Sequence, residues 1–175
     1  MPIPRFILSI FLVMMIAGCR YTTGSLLPAK YKKIAIQPFQ NKVSYVDENV
    51  RGLYVPLLES NVRTAIIDRF LFDGNLHIAD ADKADLVLNG DLLSFEQDDL
   101  RQDVNQNVQE YRIRIVVALV LTDAATGKIL WKESSFAGEA TYFLTGPQAQ
   151  SQSAAVDAAL TDLATRVVER TIENW

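Results

Sequence analysis

Residues 111–123, Tyr-Arg-Ile-Arg-Ile-Val-Val-Ala-Leu-Val-Leu-Thr-Asp, constrain the fold more than any other stretch of the chain. Tyr111, Ile113, Ile115, Val117, Leu119 and Leu121 are all apolar. A period of two is that of a β-strand, whose successive side chains point to opposite faces, so this whole odd-numbered set must meet a core. The even-numbered face begins with Arg112 and Arg114 and continues as Val116, Ala118 and Val120. It is charged at one end and apolar at the other. A strand of this kind buries its odd face only against a second layer.

The neighbouring segments supply the sheet and that layer. Residues 123–128, Asp-Ala-Ala-Thr-Gly-Lys, read as a turn, and residues 129–142 as the returning strand of a hairpin. Upstream, residues 85–92 open another strand that extends as far as Phe95, in which Gly90 predicts a bulge or a close backbone approach. Residues 96–110 are crowded with Gln, Asn, Asp and Glu and are expected to form a solvated loop or an exposed hairpin tip. Residues 33–39 form a first strand with Ile34 and Ile36 on one face, and Pro38 either ends it or marks an edge. Residues 76–79 suggest a short edge strand.

Two stretches carry helical spacing instead. Leu53, Leu57, Leu58, Val62, Ala65, Ile66 and Phe70 define one buried stripe, which predicts a helix from near Leu53, with Pro56 tolerated in the first turn and Gly74 as terminator. Residues 151–174 define a second. Val156, Leu160, Leu163, Val167 and Ile172, with Ala155, Ala159 and Ala164, form its buried side, and Asp162 is placed to pair with Arg166 at i,i+4. The order β-α-(β)-β-β-β-α predicts an α+β fold: two amphipathic helices packed on one face of a mostly antiparallel four-stranded sheet.

The N-terminus reads as an address. Arg5 precedes an apolar run from Phe6 to Ile16, closed by the small residues Ala17 and Gly18 and then Cys19. The run is about 11 residues, too short for a bilayer core that needs about 20, and matches the layout of a secretory signal. Ile16-Ala17-Gly18-Cys19 resembles a bacterial lipobox, in which the cysteine is acylated and becomes the first residue of the mature chain. Residues 1–18 are then a lipoprotein signal peptide, 19–31 a lipidated tether broken by Gly24 and Pro28, and 32–175 a single domain. Arg20 follows the cysteine where inner-membrane lipoproteins carry Asp, which by resemblance to Gram-negative sorting sends the protein to the outer membrane, lipid-anchored and facing the periplasm. Apart from its covalent lipid on Cys19, no cofactor is implied.

Charge and composition exclude several functions. A formal charge of −4 is unsuited to a general nucleic-acid binder, which needs a basic face. Cys19 is the one cysteine, so no disulfide supports the core. The one histidine, His77, reads as a surface or edge-strand residue. No phosphate-binding loop, dinucleotide fingerprint, zincin or nucleophile-elbow motif occurs. Glu96, Asp98, Asp99, Asp103 and Glu110 fit no EF-hand spacing. The chain reads as a non-enzyme, with no catalytic residues and no metal site.

With the segments in place, the chain resembles the lipopolysaccharide-assembly lipoprotein family, LptE. The likeness is carried by the lipobox followed by Tyr21, by KKIAIQPFQNK at 32–42 after a proline-containing tether, and by ADLVLNGDLLSF at 84–95. The long strand from Tyr111, the TGKILW turn at 126–131 and the alanine-rich last helix complete the set. The resemblance implies two helices on a four-stranded sheet. It also implies an outer-membrane protein that occupies the lumen of a large β-barrel, LptD, and assists the insertion of lipopolysaccharide into the outer leaflet without covalent chemistry. An IAIxPF first strand followed by a helix is also similar to CsgG-like secretion-channel subunits and to lipoprotein activators of peptidoglycan synthases, which the TGKILW hairpin and last helix fit less well.

Lipopolysaccharide offers phosphates and acyl chains, so a matching surface joins cations to an apolar strip. The even face of residues 111–123 does this, with Arg112 and Arg114 beside Val116, Ala118 and Val120, and Lys132 on the partner strand adding to it. The alternative is that Arg112 meets Glu139 across the hairpin and the strip is ordinary packing or a barrel contact.

Overall fold

A computed structural model describes residues 27–43 and 55–173. The signal segment, Cys19, most of the tether, Leu53, Asn174 and Trp175 lie outside the described residues. The elements are β1 (Lys33–Ile36), β2 (Gln40–Asn41), α1 (Leu58–Asp73), β3 (His77–Ile78), β4 (Leu86–Gln102), β5 (Val108–Asp123), β6 (Ile129–Phe143) and α2 (Gln152–Ile172).

The sheet runs β3-β1-β4-β5-β6, with β2 also on β4. The long strands β4, β5 and β6 are antiparallel, whereas β1 and β2 lie parallel to β4 and β3 lies parallel to β1. The expectation of a four-stranded, mostly antiparallel sheet is corrected here: the sheet is mixed and six-stranded. The reason is the crossover. Chain leaving β1 returns through α1 to lie parallel beside it, which a hairpin cannot do.

β5 has the alternation its sequence demands, with Ile113, Ile115, Val117, Leu119 and Leu121 at most 1% exposed. The core residues of β4 keep phase with it through an irregularity after Leu92, and two more register shifts, between Asp99 and Gln102, lie toward the hairpin tip. Leu86, Leu88 and Leu92 face the core, the register shifts between Leu92 and Ser94, and the next core residue is Phe95. The extra residue resets the period-two pattern. Gly90 serves a different purpose: a Cβ there would lie 2.1 Å from the ring of buried Phe39. Of the two readings of Gly90, close approach is the one found.

Residues 96–110 are mostly strand. β4 continues to Gln102 and β5 begins at Val108, leaving only residues 103–107 as the tip. There Asp103 Oδ1 accepts the backbone N–H groups of Asn105 and Asn107 at 2.8 and 2.9 Å. Backbone pairing to β5 outweighs the polarity of the side chains.

α1 starts at Leu58, later than expected, because Leu57 adopts a left-handed conformation (φ 56°) that no helix interior holds. Gly74 ends the helix at φ 77°, its N–H bonded to the carbonyl of Phe70. α2 is capped by Ser151, whose hydroxyl accepts the N–H of Ala154 at 3.1 Å. Both helices lie on the sheet face to which the odd residues of β5 belong, α2 against β5 and β6 and α1 against α2 and β3. Leu58, Val62, Ile66 and Phe70 of α1 and Ala155, Ala159, Leu163 and Val167 of α2 are fully buried there. Tyr31, from the tether side of the domain boundary, is 5% exposed and joins this core.

Candidate site on the open sheet face

The even face of β5 has no covering layer among the described residues. Across β4, β5 and β6 it displays a row of cross-strand sets, because residues directly opposite in an antiparallel ladder share a face. At one end Asp98, Arg112 and Thr141 are in register, followed by Glu96, Arg114 and Glu139. Arg112 donates to Asp98 Oδ2 at 2.8 Å, and this bond holds the guanidinium pKa above its ordinary value. Arg114 Nε lies 3.1 Å from Glu139 Oε1, and its NH1 is 3.9 Å from Glu96. The Nε–H of Arg114 is not aimed at that oxygen, so the contact is an ion pair without an aligned hydrogen bond.

The cross-hairpin partner expected for Arg112 is therefore corrected. Glu139 is in register with Arg114, and Arg112 reaches back to Asp98 on β4. Three carboxylates surround the two arginines, so this end of the face carries no surplus of positive charge.

The apolar end differs. Val116 is 7% exposed, and Ala118 and Val120 are half-buried. Beyond them a shallow concavity of about 380 Å³ is lined by Pro38, Gln40, Asn89, Leu93 and Ser134 as well as Ala118 and Val120, with Lys132 on its rim. Lys132 is exposed and lies opposite Val120. The β5 stretch from Arg114 to Val120 spans about 20 Å, so the structure does not bring Lys132 together with Arg112 and Arg114. Asp91, also lining the concavity, is neutralised by Lys42 at 2.7 Å.

Sequence reasoning missed a second polar centre, where the chain enters the domain. Asp123 is 5% exposed and accepts Tyr31 Oη at 2.8 Å and Lys30 Nζ at 3.1 Å. Its other oxygen accepts the N–H groups of Ala125 and Thr126, both at 3.0 Å. Asp85 beside it accepts the N–H groups of Lys32 and Lys33. The signal was available as the Asp-x-x-Thr-Gly turn, but nothing in the sequence names the distant tyrosine and lysine that use it. His77 is exposed on the edge strand β3. Among the described residues no group of three or more His, Cys, Asp or Glu side chains is placed to hold a metal, and no helix is long and apolar enough to cross a membrane.

A model of the lipopolysaccharide-assembly family LptE matches residues 31–173. Solved structures share the fold at low identity. Protein XCC0632 from Xanthomonas campestris is 15% identical, with a TM-score of 0.53, over 85% of this chain and 90% of that one. The hypothetical protein CT253 from Chlamydia trachomatis is 13% identical, with a TM-score of 0.51, over 80% and 95%. PelC from Paraburkholderia phytofirmans, solved as a dodecamer, is 14% identical, with a TM-score of 0.50, over 87% and 96%. A search of curated proteins finds no match.

Proposed function

The chain belongs to the lipopolysaccharide-assembly family LptE, and from that premise we propose that it is an outer-membrane lipoprotein, acylated on Cys19 and facing the periplasm, that plugs an LptD-like β-barrel and assists lipopolysaccharide insertion. The observation that carries this reading is the extent of the family match, which takes in every strand and both helices. In this reading residues 1–18 are removed, the tether from 19 lets the domain reach its partner, and two or more acyl chains hold it on the membrane, each buried CH₂ contributing about 0.8 kcal/mol. The protein works by binding, without covalent chemistry.

The open sheet face supports a docking role, since a half-buried apolar strip with a charged border suits a partner surface. Arg112, Arg114 and Lys132 remain the residues proposed for contact with the barrel or with lipopolysaccharide phosphate. Their surroundings divide the work. Lys132 offers an exposed ammonium beside a concavity of mixed apolar and polar lining, while Arg112 and Arg114 are already engaged by carboxylates and meet an anion only by exchanging partners.

The test is a mild-detergent capture of the tagged, lipidated protein from its own outer membrane, with mass spectrometry of whatever accompanies it. A large β-barrel in one-to-one ratio, with lipopolysaccharide, is the expected result. A homo-oligomeric ring or a peptidoglycan synthase in its place overturns the reading.

A further inference from the structure

The root of the tether and three exposed apolar side chains share one end of the sheet. Across β3, β1, β4, β5 and β6 that end is marked by His77, Lys33, Asp85, Asp123 and Lys128. His77 is in register with Lys33. The N–H of Asp85 donates to the carbonyl of Lys33 at 3.0 Å, that of Ala124 to Asp85 at 2.9 Å, and that of Asp123 to Lys128 at 2.9 Å. The tether enters at the middle of this row. Asp123 holds the side chains of Lys30 and Tyr31, and Asp85 holds the N–H groups of Lys32 and Lys33. Upstream, Leu27 packs against the core. Cys19 lies 8 residues before Leu27, a span of at most about 29 Å even when fully extended.

Leu71 and Phe72 belong to the last turn of α1, which passes through Gly74 into β3 at one side of the row. Ile129 opens β6 at the other side. All three side chains are more than half exposed. Four strand spacings of about 4.8 Å set the two flanks about 19 Å apart, with the tether root between them. The guanidinium of Arg69 lies 5.2 Å from the Phe72 ring, and its Nε meets no acceptor among the described residues. An aromatic ring paired with a cation suits a headgroup layer, apolar beneath and polar above. The hairpin tip also exposes Leu100 and Val104, but among Asp98, Asp99 and Asp103, and about 50 Å away along the 16 residues of β5.

We propose that the tether end of the domain is a lipid-contact surface, in which Leu71, Phe72 and Ile129 enter the headgroup layer of the membrane that holds Cys19 and the hairpin tip is turned away from it. The inference rests on the acylation of Cys19 proposed above and not on the barrel. The tether identifies the occupant. A short linker rooted in this row keeps the three side chains beside lipid at an effective concentration on the order of mM. A contact too weak to recruit a free protein is therefore occupied in an anchored one. The burial that drives it is apolar, so it does not depend on anionic lipid.

The test uses the full chain, expressed with its own N-terminus, purified in detergent and reconstituted into phosphatidylcholine vesicles with or without bromine in the acyl chains. Mass spectrometry first establishes whether Cys19 is acylated. An environment-sensitive fluorophore is attached through Leu71→Cys or, at the tip, through Val104→Cys. Bromine is expected to quench the label at position 71 and to leave that at position 104 unchanged. Adding Phe72→Ser and Ile129→Ser, with circular dichroism unchanged, abolishes the quenching at position 71 while the protein still floats with the vesicles. If the double serine variant does not fold, Phe72→Ser alone decides between the same outcomes. An acylated protein that floats with its label at position 71 unquenched overturns the proposal and leaves the reading of Cys19 intact. Equal quenching at positions 71 and 104 overturns it too, since the domain then lies along the membrane, as does quenching that survives the serines. An unmodified Cys19 overturns the reading of that residue, and the proposal with it.

Discussion

Asp123 accepts four hydrogen bonds, from Tyr31, Lys30, Ala125 and Thr126. Hydrogen bonding from Tyr31, then Lys30, then the Thr126 backbone holds its carboxyl well below the usual aspartate range, against an opposing effect of burial. A carboxylate whose folded pKa lies below its unfolded value of about 3.9 binds fewer protons folded than unfolded. Its stabilisation is complete above that unfolded value and is lost as pH falls toward the folded one. Asp123→Asn is therefore expected to lower the urea midpoint at pH 7. The gap from wild type is expected to narrow in a titration below about pH 4. A gap unchanged down to acid pH would show that shape and not charge makes the difference. Glycines give a second contrast at this scale. Gly138→Ala drives a methyl into helix backbone, which cannot swing aside, whereas the nearest atoms to the methyl of Gly90→Ala all belong to the Phe39 side chain. Overpacking costs about 1–3 kcal/mol, occasionally more. Chemical denaturation is expected to rank Gly138→Ala as the more damaging change.

Among the elements, what a strand or helix could show by itself was readable in sequence. The odd face of β5, the Ser151 start of α2 and the Gly74 stop of α1 all rest on local pattern or local capping. What depended on a distant partner was not readable. The far half of β4 looks like a loop because Glu96, Asp98 and Arg101 are polar, yet each faces an opposite charge, Arg114, Arg112 and Glu110, across the ladder. The parallel placement of β1 and β2 was hidden for the same reason, since hydrophobic alternation carries no strand direction. The candidate site shared this limit: the residues on the even face were identifiable, but their ion-pair partners follow from register. The start of α1 shows the opposite case, a strained residue where pattern predicted helix. Leu57 is 66% exposed at φ 56°, a conformation costing a non-glycine residue about 1–2 kcal/mol. Leu57→Gly is expected to raise stability by about 1 kcal/mol, read as a higher urea midpoint with an unchanged slope. Ser151→Ala, which removes the α2 cap, is expected to lower it by about as much.

Among the described residues the whole molecule is built of two layers, one of helices and one of sheet, and the second face of the sheet carries no cover. Its helices satisfy one face of the sheet, and the other face is left half-buried, neutralised at the arginine end and open at Lys132. Folding and binding are therefore separable on this face. Arg112 is tied to Asp98 within the fold, so Arg112→Ala strands a partly exposed carboxylate and disturbs the distal hairpin as well as any docking. Lys132 is exposed, and substitution away from packed features changes stability by no more than about 0.5 kcal/mol. Lys132→Glu is thus expected to leave thermal unfolding unchanged while reducing the barrel and lipopolysaccharide recovered in detergent capture. A reversal beside an apolar docking strip acts on the partner, since like charges across an interface oppose association. Equal recovery with Lys132→Glu would move the docking surface off this face. Reduced recovery together with reduced melting would show that Lys132 serves the fold, and only reduced recovery at unchanged melting places the partner against the open sheet.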